Sequence, residues 1–502
     1  MKVCHSTTPQ GEKHTDRELA QQWNSIDWDR VSSDVNRLQT RIAKATQEGK
    51  WNLVKRLSYL LTHSRSAKLL AVRIVTQNKG KRTPGVDGVR WISASDKMRA
   101  ALSLTDHQYY AQPLRRIYIP KPGKTTKRPI SIPTMYDRAM QTLYALALQP
   151  TAETTADTRS FGFRLYRCAQ DASRYAYMCL RGKSSNPWIL EGDIKGCFDN
   201  IAHEWLREHV SMDRSVLNQF LKAGYIYEKV LYPTDRGTPQ GGIISPILAN
   251  MTLDGMERTL AKRFPKGNVY FIRYADDFLI TTPTKERAEE AQETIQEFLA
   301  ERGLELSEEK TVITHIDDGF DFLGYNFRKY NGRLLIKPSQ KSIRAVTEKI
   351  KGIIKKAQAW TQDCLIKTLN PVIRGWTNYH RHNAASDTFG KLDTYLWKVT
   401  WNWGKRRHPK KGRKWVARRY WHSKGNRNWV FQTEENTLFI FSDADYRGHT
   451  IPRLDANPYL DRKYFIDRRE RTTRKTPWVQ TRLTFFALPP EKRVVECASR
   501  MR

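Results

Sequence analysis

Val269-Tyr270-Phe271-Ile272-Arg273-Tyr274-Ala275-Asp276-Asp277-Phe278-Leu279-Ile280-Thr281-Thr282 decides how this chain is read. Residues 269–274 and 278–282 are apolar, with β-branched and aromatic side chains, so each predicts a strand. Ala275-Asp276-Asp277 between them makes the pair a hairpin. Asp favours turns, so an acidic tip alone is ordinary. Two adjacent carboxylates nevertheless repel, and holding them close is costly without a cation.

A third carboxylate adds weight. Trp188-Ile189-Leu190-Glu191-Gly192-Asp193 predicts a short buried strand ending in Asp193, just before a helix opens over residues 195–199. Beside the hairpin, that strand brings Asp193 against Asp276. Three carboxylates at one spot suit two Mg²⁺ ions, hard cations that take oxygen ligands and share them with phosphates. One ion would activate a primer 3′-hydroxyl; the other would hold a triphosphate and its leaving pyrophosphate. The reaction implied is nucleotidyl transfer by in-line attack, driven by positioning and charge neutralisation.

The rest of the chain fits that chemistry. Its formal net charge is +35 over 502 residues, which calls for a polyanion, and nucleic acid is the natural one. Residues 401–502 hold 25 Lys+Arg against 10 Asp+Glu, so a fifth of the chain carries over two fifths of the excess. The densest run, residues 405–419, has nine basic residues and no acid. Trp397, Trp401, Trp403, Trp415, Tyr420 and Trp421 interleave with the charge, which argues for a folded surface suited to stacking on unpaired bases. The six cysteines never form a CxxC pair, which argues against a zinc knuckle, and their scatter implies a reducing compartment. The polar first thirty residues carry no secretory signal, and no apolar run could span a membrane. A cytoplasmic, nucleoid-associated or organellar location follows.

Outward from the hairpin the pattern is mixed. Residues 1–30 read as weakly ordered, and residues 34–63 as helical with a break at Glu48-Gly49. Residues 83–88 are a turn, 117–120 and 128–133 are extended, and 137–148 are helical. An amphipathic helix covers 285–302. Residues 320–328 and 334–337 are strands joined through Asn331-Gly332. Residues 342–400 are helical, interrupted at Asn370-Pro371.

The order of motifs resembles the reverse-transcriptase palm: Asp-x-x-x-x-Phe-Asp at 193–199, Thr-Pro-Gln-Gly-Gly at 238–242, Tyr-Ala-Asp-Asp at 274–277, Leu-Ser-x-x-Lys-Thr at 306–311 and Phe-Leu-Gly at 322–324. Within that family the chain is most similar to proteins encoded by mobile group II introns. Residues 128–134, residues 238–246 and Ile373-Arg374-Gly375-Trp376-x-Asn378-Tyr379 carry this likeness, which covers about residues 30–430.

The resemblance implies an α+β right-hand polymerase with fingers, an antiparallel palm and a helical thumb. It implies an N-terminal extension over 1–110, fingers and palm over 111–337, a thumb or maturase domain over 338–425, and a basic DNA-binding region over 426–502. Asp193, Asp276 and Asp277 would be catalytic and hold the metal. Lys121, Arg128, Ile194, Phe198, Gln240 and Lys310 would meet the incoming dNTP. Phe198 would exclude a 2′-hydroxyl, Lys121 and Arg128 would hold the triphosphate, and Lys310 would protonate pyrophosphate. Phe322-Leu323-Gly324 matches the primer grip, or is core strand. Residues 85–88 match an N-terminal block of such polymerases, or are simply a turn. Arg374, Trp376, Asn378 and Tyr379 would lie on the thumb and grip template–primer or intron RNA, with burial between thumb helices the alternative for Trp376 and Tyr379. Lys405, Arg406, Arg407, Lys410, Lys411, Arg413 and Lys414 would contact phosphates. The expected partners are group II intron RNA, target DNA and an RNA template with its DNA primer.

The family's HNH endonuclease has cysteine pairs and histidines, whereas residues 431–502 hold only Cys497 and His449. No endonuclease is therefore expected, and the primer would come from elsewhere, such as a nascent strand at a replication fork. A retron-like or defence-associated enzyme is the competing reading, disfavoured by residues 373–379. A splicing cofactor with a decayed polymerase is disfavoured by the intact carboxylates, and an RNA-dependent RNA polymerase by Phe198.

Overall fold

The structure, a computed structural model, describes residues 15–120 and 127–474. In chain order its strands are β1 (Leu114–Pro120), β2 (Lys127–Ile132), β3 (Trp188–Asp193), β4 (Tyr225–Tyr227), β5 (Val230–Tyr232), β6 (Tyr270–Tyr274), β7 (Asp277–Thr282), β8 (Val312–His315), β9 (Phe320–Phe322), β10 (Tyr325–Tyr330), β11 (Arg333–Pro338), β12 (Trp421–Lys424) and β13 (Arg427–Phe431). The palm is the antiparallel sheet β6-β7-β3-β8. Its alternate residues face two cores. Leu190, Phe271, Phe278 and Ile280 join one, with helix Lys285–Ala300. Ile189, Ile272 and Leu279 join the other, with helix Ala169–Leu180. Burial of both faces is why the hairpin reads as continuous apolar runs rather than as an alternation.

The fingers sheet has the order β2-β1-β4-β5. Behind it, helix Met135–Thr155 is buried along nearly its whole length, and helices Trp28–Gln47, Trp51–His63 and Arg65–Gln77 share one core with it. That core also includes palm residues, so residues 15–110 are packed as part of the polymerase body. The expected weak order before residue 30 is corrected from Thr15 onward. Helix Asp16–Asn24 is opened by a reciprocal cap between Thr15 and Glu18 and buries Leu19 and Trp23. The turn at residues 83–88 lies against the start of helix Met135–Thr155, where a Cβ on Gly85 would meet Thr134 Cα at 2.6 Å.

Two expected elements differ. The strand expected over 320–328 is broken into β9 and β10 by a tight turn, because Leu323 and Gly324 both have positive φ. Asn370-Pro371 does not interrupt its helix, which runs from Gln362 to His380. Leu365, Ile366, Leu369 and Ile373 are fully buried there, and that packing outweighs the cost of an internal proline, about 3 kcal/mol. The thumb's breaks fall instead between helices Gln340–Lys356, Gln362–His380 and Ser386–Arg407. Its core also takes in Trp421, Phe431, Leu438 and Phe441, so a boundary at 425 would cut the β12–β13 hairpin.

Palm and thumb meet, among other contacts such as Ala384 N–H to Ile336 O, at a polar–aromatic one. Tyr379 stacks on Tyr325 with centroids 5.1 Å apart and donates its hydroxyl to Leu323 O at 2.8 Å, while Tyr325 donates to Tyr379 O at 2.7 Å. His380 beside them is buried, with Nε2 3.0 Å from Ser342 Oγ, and burial pushes its pKa down to about 3. An unfolded histidine titrates near 6.5, so below that pH the unfolded chain takes a proton that the folded chain refuses. Stability is therefore lost as pH falls from 6.5 towards 3. We expect His380 to cost about 2 kcal/mol by about pH 5, and His380→Gln to remove that part of the acid slope. Urea denaturation at several pH values, followed by circular dichroism, checks this; equal slopes for both proteins would refute it.

Candidate active site

Antiparallel pairing of β3 with β7 sets Asp193 directly opposite Asp277. Tyr274 pairs with Asp277 across the hairpin, leaving Ala275-Asp276 as a two-residue turn. The three carboxylates thus come together at one end of the sheet. Burial, opposed by a backbone hydrogen bond and followed by the Asp193 charge, raises the Asp276 pKa. Asp277 is open to solvent at its tip, yet protein packed around it desolvates the charge; Asp276 and Asp193 add repulsion, and its pKa rises to about 7. Lys310 Nζ lies 2.7 Å from Asp193 Oδ1. One ammonium against three carboxylates leaves the cluster short of positive charge. The donors are all oxygen, so the residues fit a hard divalent cation.

The turn has a strained backbone, with Ala275 at φ +58°. A left-handed non-glycine residue costs roughly 1–2 kcal/mol and needs support. Arg273, fully buried, supplies it. Its Nη1 donates to Asn250 Oδ1 at 3.1 Å and to Ala275 O at 3.3 Å, and its Nη2 pairs with Asp254. Burial pushes Asp254 up to about 6 even with Arg273 beside it. Asn250 Nδ2 donates to Gly162 O at 2.9 Å. Gly162 lies under the turn, where a Cβ would stand 2.2 Å from Ala275 N. Gly192 plays a similar part next to Asp193, since a Cβ there would enter the Phe278 ring. Motif reading missed Arg273, although a lone arginine in an apolar strand was the available signal, because a buried charge must be paired.

The other expected residues surround the carboxylates. Phe198 is half-buried on the short helix Cys197–Asn200, edge-on to Phe163. The 238–242 loop docks on this helix: Thr238 N–H donates to Phe198 O at 2.6 Å, and Gln240 Nε2 to Asp199 Oδ2 at 2.9 Å. Ser131 N–H also donates to Gln240 O at 2.7 Å, tying the loop to β2. Arg128, exposed on β2, is near enough for its charge to act on Asp276. The side chain of Ile194 is buried in the core, which leaves its backbone to meet a ligand. Lys121 lies outside the described residues. Away from the cluster, Arg374 is exposed over the Phe439 ring. Trp376 is half-buried, packed against His380 and Phe441, and its Nε1 donates to Ser342 Oγ at 3.0 Å. Lys405, Arg406, Lys410, Lys411, Arg413 and Lys414 are exposed, whereas Arg407 donates to Gln358 O at 2.7 Å.

An antiparallel sheet that gathers three carboxylates at a hairpin tip, beside a basic fingers sheet, defines a nucleic-acid polymerase of the right-hand class. Three family models match in chain order: the N-terminal domain of reverse transcriptase at 23–104, reverse transcriptase (RNA-dependent DNA polymerase) at 119–327, and the group II intron maturase-specific domain at 343–421. Protein YkfC of Escherichia coli K12 is 33% identical over 308 residues, spanning 52% of this chain and 80% of that protein. The group II intron-encoded protein LtrA of Lactococcus lactis subsp. cremoris is 29% identical over 456 residues, 71% of this chain and 75% of that protein. Among solved structures, telomerase from Candida albicans aligns at a TM-score of 0.36 and 14% identity, over 62% of this chain and 65% of that one. The chain belongs to the group II intron-encoded reverse transcriptases and maturases. It is an RNA-directed DNA polymerase with a splicing maturase role, and its nucleotidyl transfer depends on divalent metal.

Arg273→Lys keeps a cation for Asp254 but cannot span Asn250 and Ala275 O together. We expect it to raise the divalent-ion concentration for half-maximal primer extension by roughly ten-fold or more, as removal of a ligand-orienting group does. A metal titration of extension rates measures this, and an unchanged midpoint would mean that the turn is held without Arg273.

Proposed function

We propose that Asp193, Asp276 and Asp277 hold two Mg²⁺ ions and that the chain copies its own intron RNA after that RNA has inserted into DNA. Bound there, the ions would lower the pKa of the primer 3′-hydroxyl and neutralise charge on the triphosphate. The protein's own groups do the rest. Phe198 lies under the incoming sugar and leaves no room for a 2′-hydroxyl. Gln240, held by Asp199, lines the nucleotide, and Arg128 and Lys121 bind its phosphates as charge-assisted donors. Lys310 is the proton donor to pyrophosphate. The observation that carries this reading is the cross-strand pairing of Asp193 with Asp277, with Asp276 next to it in the turn.

The thumb and the basic segment after it bind intron RNA and favour its active fold. Splicing and reverse splicing into target DNA remain the RNA's chemistry; the protein supplies charge neutralisation and a scaffold. Support for an RNA surface comes from the exposed run at Lys405, Arg406, Lys410, Lys411, Arg413 and Lys414. No described helix is long and apolar enough to cross a membrane.

Asp276→Ala should reduce primer extension on an RNA template by at least roughly a thousand-fold while RNA binding stays intact. Extension that persisted in single-turnover assays would refute the metal assignment. Replacing the six exposed basic residues with Ala should weaken intron binding and lower the slope of log K against log salt by roughly 0.7–0.9 for each phosphate no longer neutralised. Binding isotherms at several salt concentrations test this, and an unaltered slope would move the RNA-binding surface elsewhere.

A further inference from the structure

Three tryptophans cluster on the outside of the thumb. Trp397 and Trp401, one turn apart on helix Ser386–Arg407, stack with centroids 5.6 Å apart and planes 8° from parallel. Trp429 of β13 lies edge-on to Trp401, with centroids 6.5 Å apart and planes 62° from parallel. Trp421, itself buried, backs Trp401 at 5.2 Å and keeps it from turning inward. Trp397 is 45% exposed and Trp429 56%. Trp429 also has φ +64°, a backbone state that a bulky residue adopts only where the surroundings enforce it. Large indole faces left in water beside one another mark a binding surface.

The surrounding charge selects the partner. Residues 395–431 contain 12 Lys+Arg and no Asp or Glu. Lys398 and Lys405 are exposed on the helical turns either side of Trp401, and Lys424 is exposed at the tip of the hairpin, where Arg427 pairs with Asp443. A second copy of this surface would be repelled. Unpaired nucleic acid offers what the surface lacks: π-faces for the indoles and phosphates for the cations. A duplex keeps its base faces stacked inside. We propose that Trp397, Trp401 and Trp429 form a stacking platform for unpaired bases of RNA. This rests on the RNA-binding reading above and adds to it which RNA feature is recognised and by which residues.

The test uses the full chain and its Trp397→Ala/Trp429→Ala double variant. The probes are a single-stranded oligouridylate and a fully paired RNA of equal phosphate number, read by fluorescence anisotropy. Affinity for the oligouridylate should fall roughly ten- to a hundred-fold while duplex affinity changes less than about two-fold. The salt slope should stay the same, because every phosphate-binding cation is retained. A Trp397→Phe/Trp429→Phe variant should keep most of the affinity, which separates a stacking defect from a folding defect. Equal loss on both RNAs, or no loss, overturns the platform. So does an effect confined to phosphatidylserine vesicle binding or to self-association. Failure of the underlying reading looks different: the unaltered protein would then bind neither RNA.

Discussion

Arg273 is wholly buried, and its guanidinium engages Asp254, Asn250 and the carbonyl of Ala275 at once. The carboxylate cluster depends on that arrangement. Asp276 sits on a turn whose preceding residue is left-handed, and its charge is opposed by Asp277 and Asp193. Without a fixed scaffold such a turn would relax and separate the charges. The scaffold is stiff because an unpaired buried charge costs several kcal/mol, so neither Arg273 nor Asp254 can release the other. Gly162 completes it by allowing backbone to pass directly beneath Ala275. Local strain at the reacting end is thus balanced by a buried ion pair close by, whose arginine lies in the adjoining strand.

How much of this was legible in the sequence depended on how local the signal was. The hairpin and its acidic tip were readable because apolar runs and a turn lie within fourteen residues. Asp193 was readable because a buried strand ended in a carboxylate. The partners of Arg273 were not: Asp254 and Asn250 come from an adjoining helix and its end, and nothing local predicts that they turn towards β6. The break at Leu323-Gly324 was missed because an apolar residue preceded the glycine, whereas Asn331-Gly332 carries the usual turn chemistry. At Pro371 the opposite error arose, since a strong local signal was overridden by a buried stripe formed only in the tertiary structure.

The segment around residues 373–380, which carries the likeness to maturases, joins thumb to palm in this structure. Tyr379 caps the Leu323 carbonyl in the β9–β10 turn, and Trp376 and His380 share Ser342. These interactions fix the angle at which the thumb leaves the palm. A sequence pattern for this segment therefore reports the geometry of a joint as much as any grip on RNA. Arg374 and Asn378, exposed on the same helix, are left as members able to reach a ligand.

The chain after the thumb divides the basic excess into two parts. Beyond Phe441 it returns to the body. Thr40 donates to Tyr459 O, Asn457 donates to Thr154, Arg167 donates to Leu454 O, and His449 and Arg468 both bind the buried Asp171. These hydrogen bonds bridge about 280 to 420 residues of sequence, which composition alone does not reveal. Several of its charges are instead committed: Arg468 pairs with Asp171 of the body, and Arg453 with Asp461 inside the segment itself. More of the uncommitted positive surface lies earlier, across helix Ser386–Arg407 and helix Arg413–Tyr420, whereas Arg427 in the β12–β13 hairpin pairs with Asp443. Net charge therefore overstates the free positive surface of the C-terminal part relative to that of the thumb.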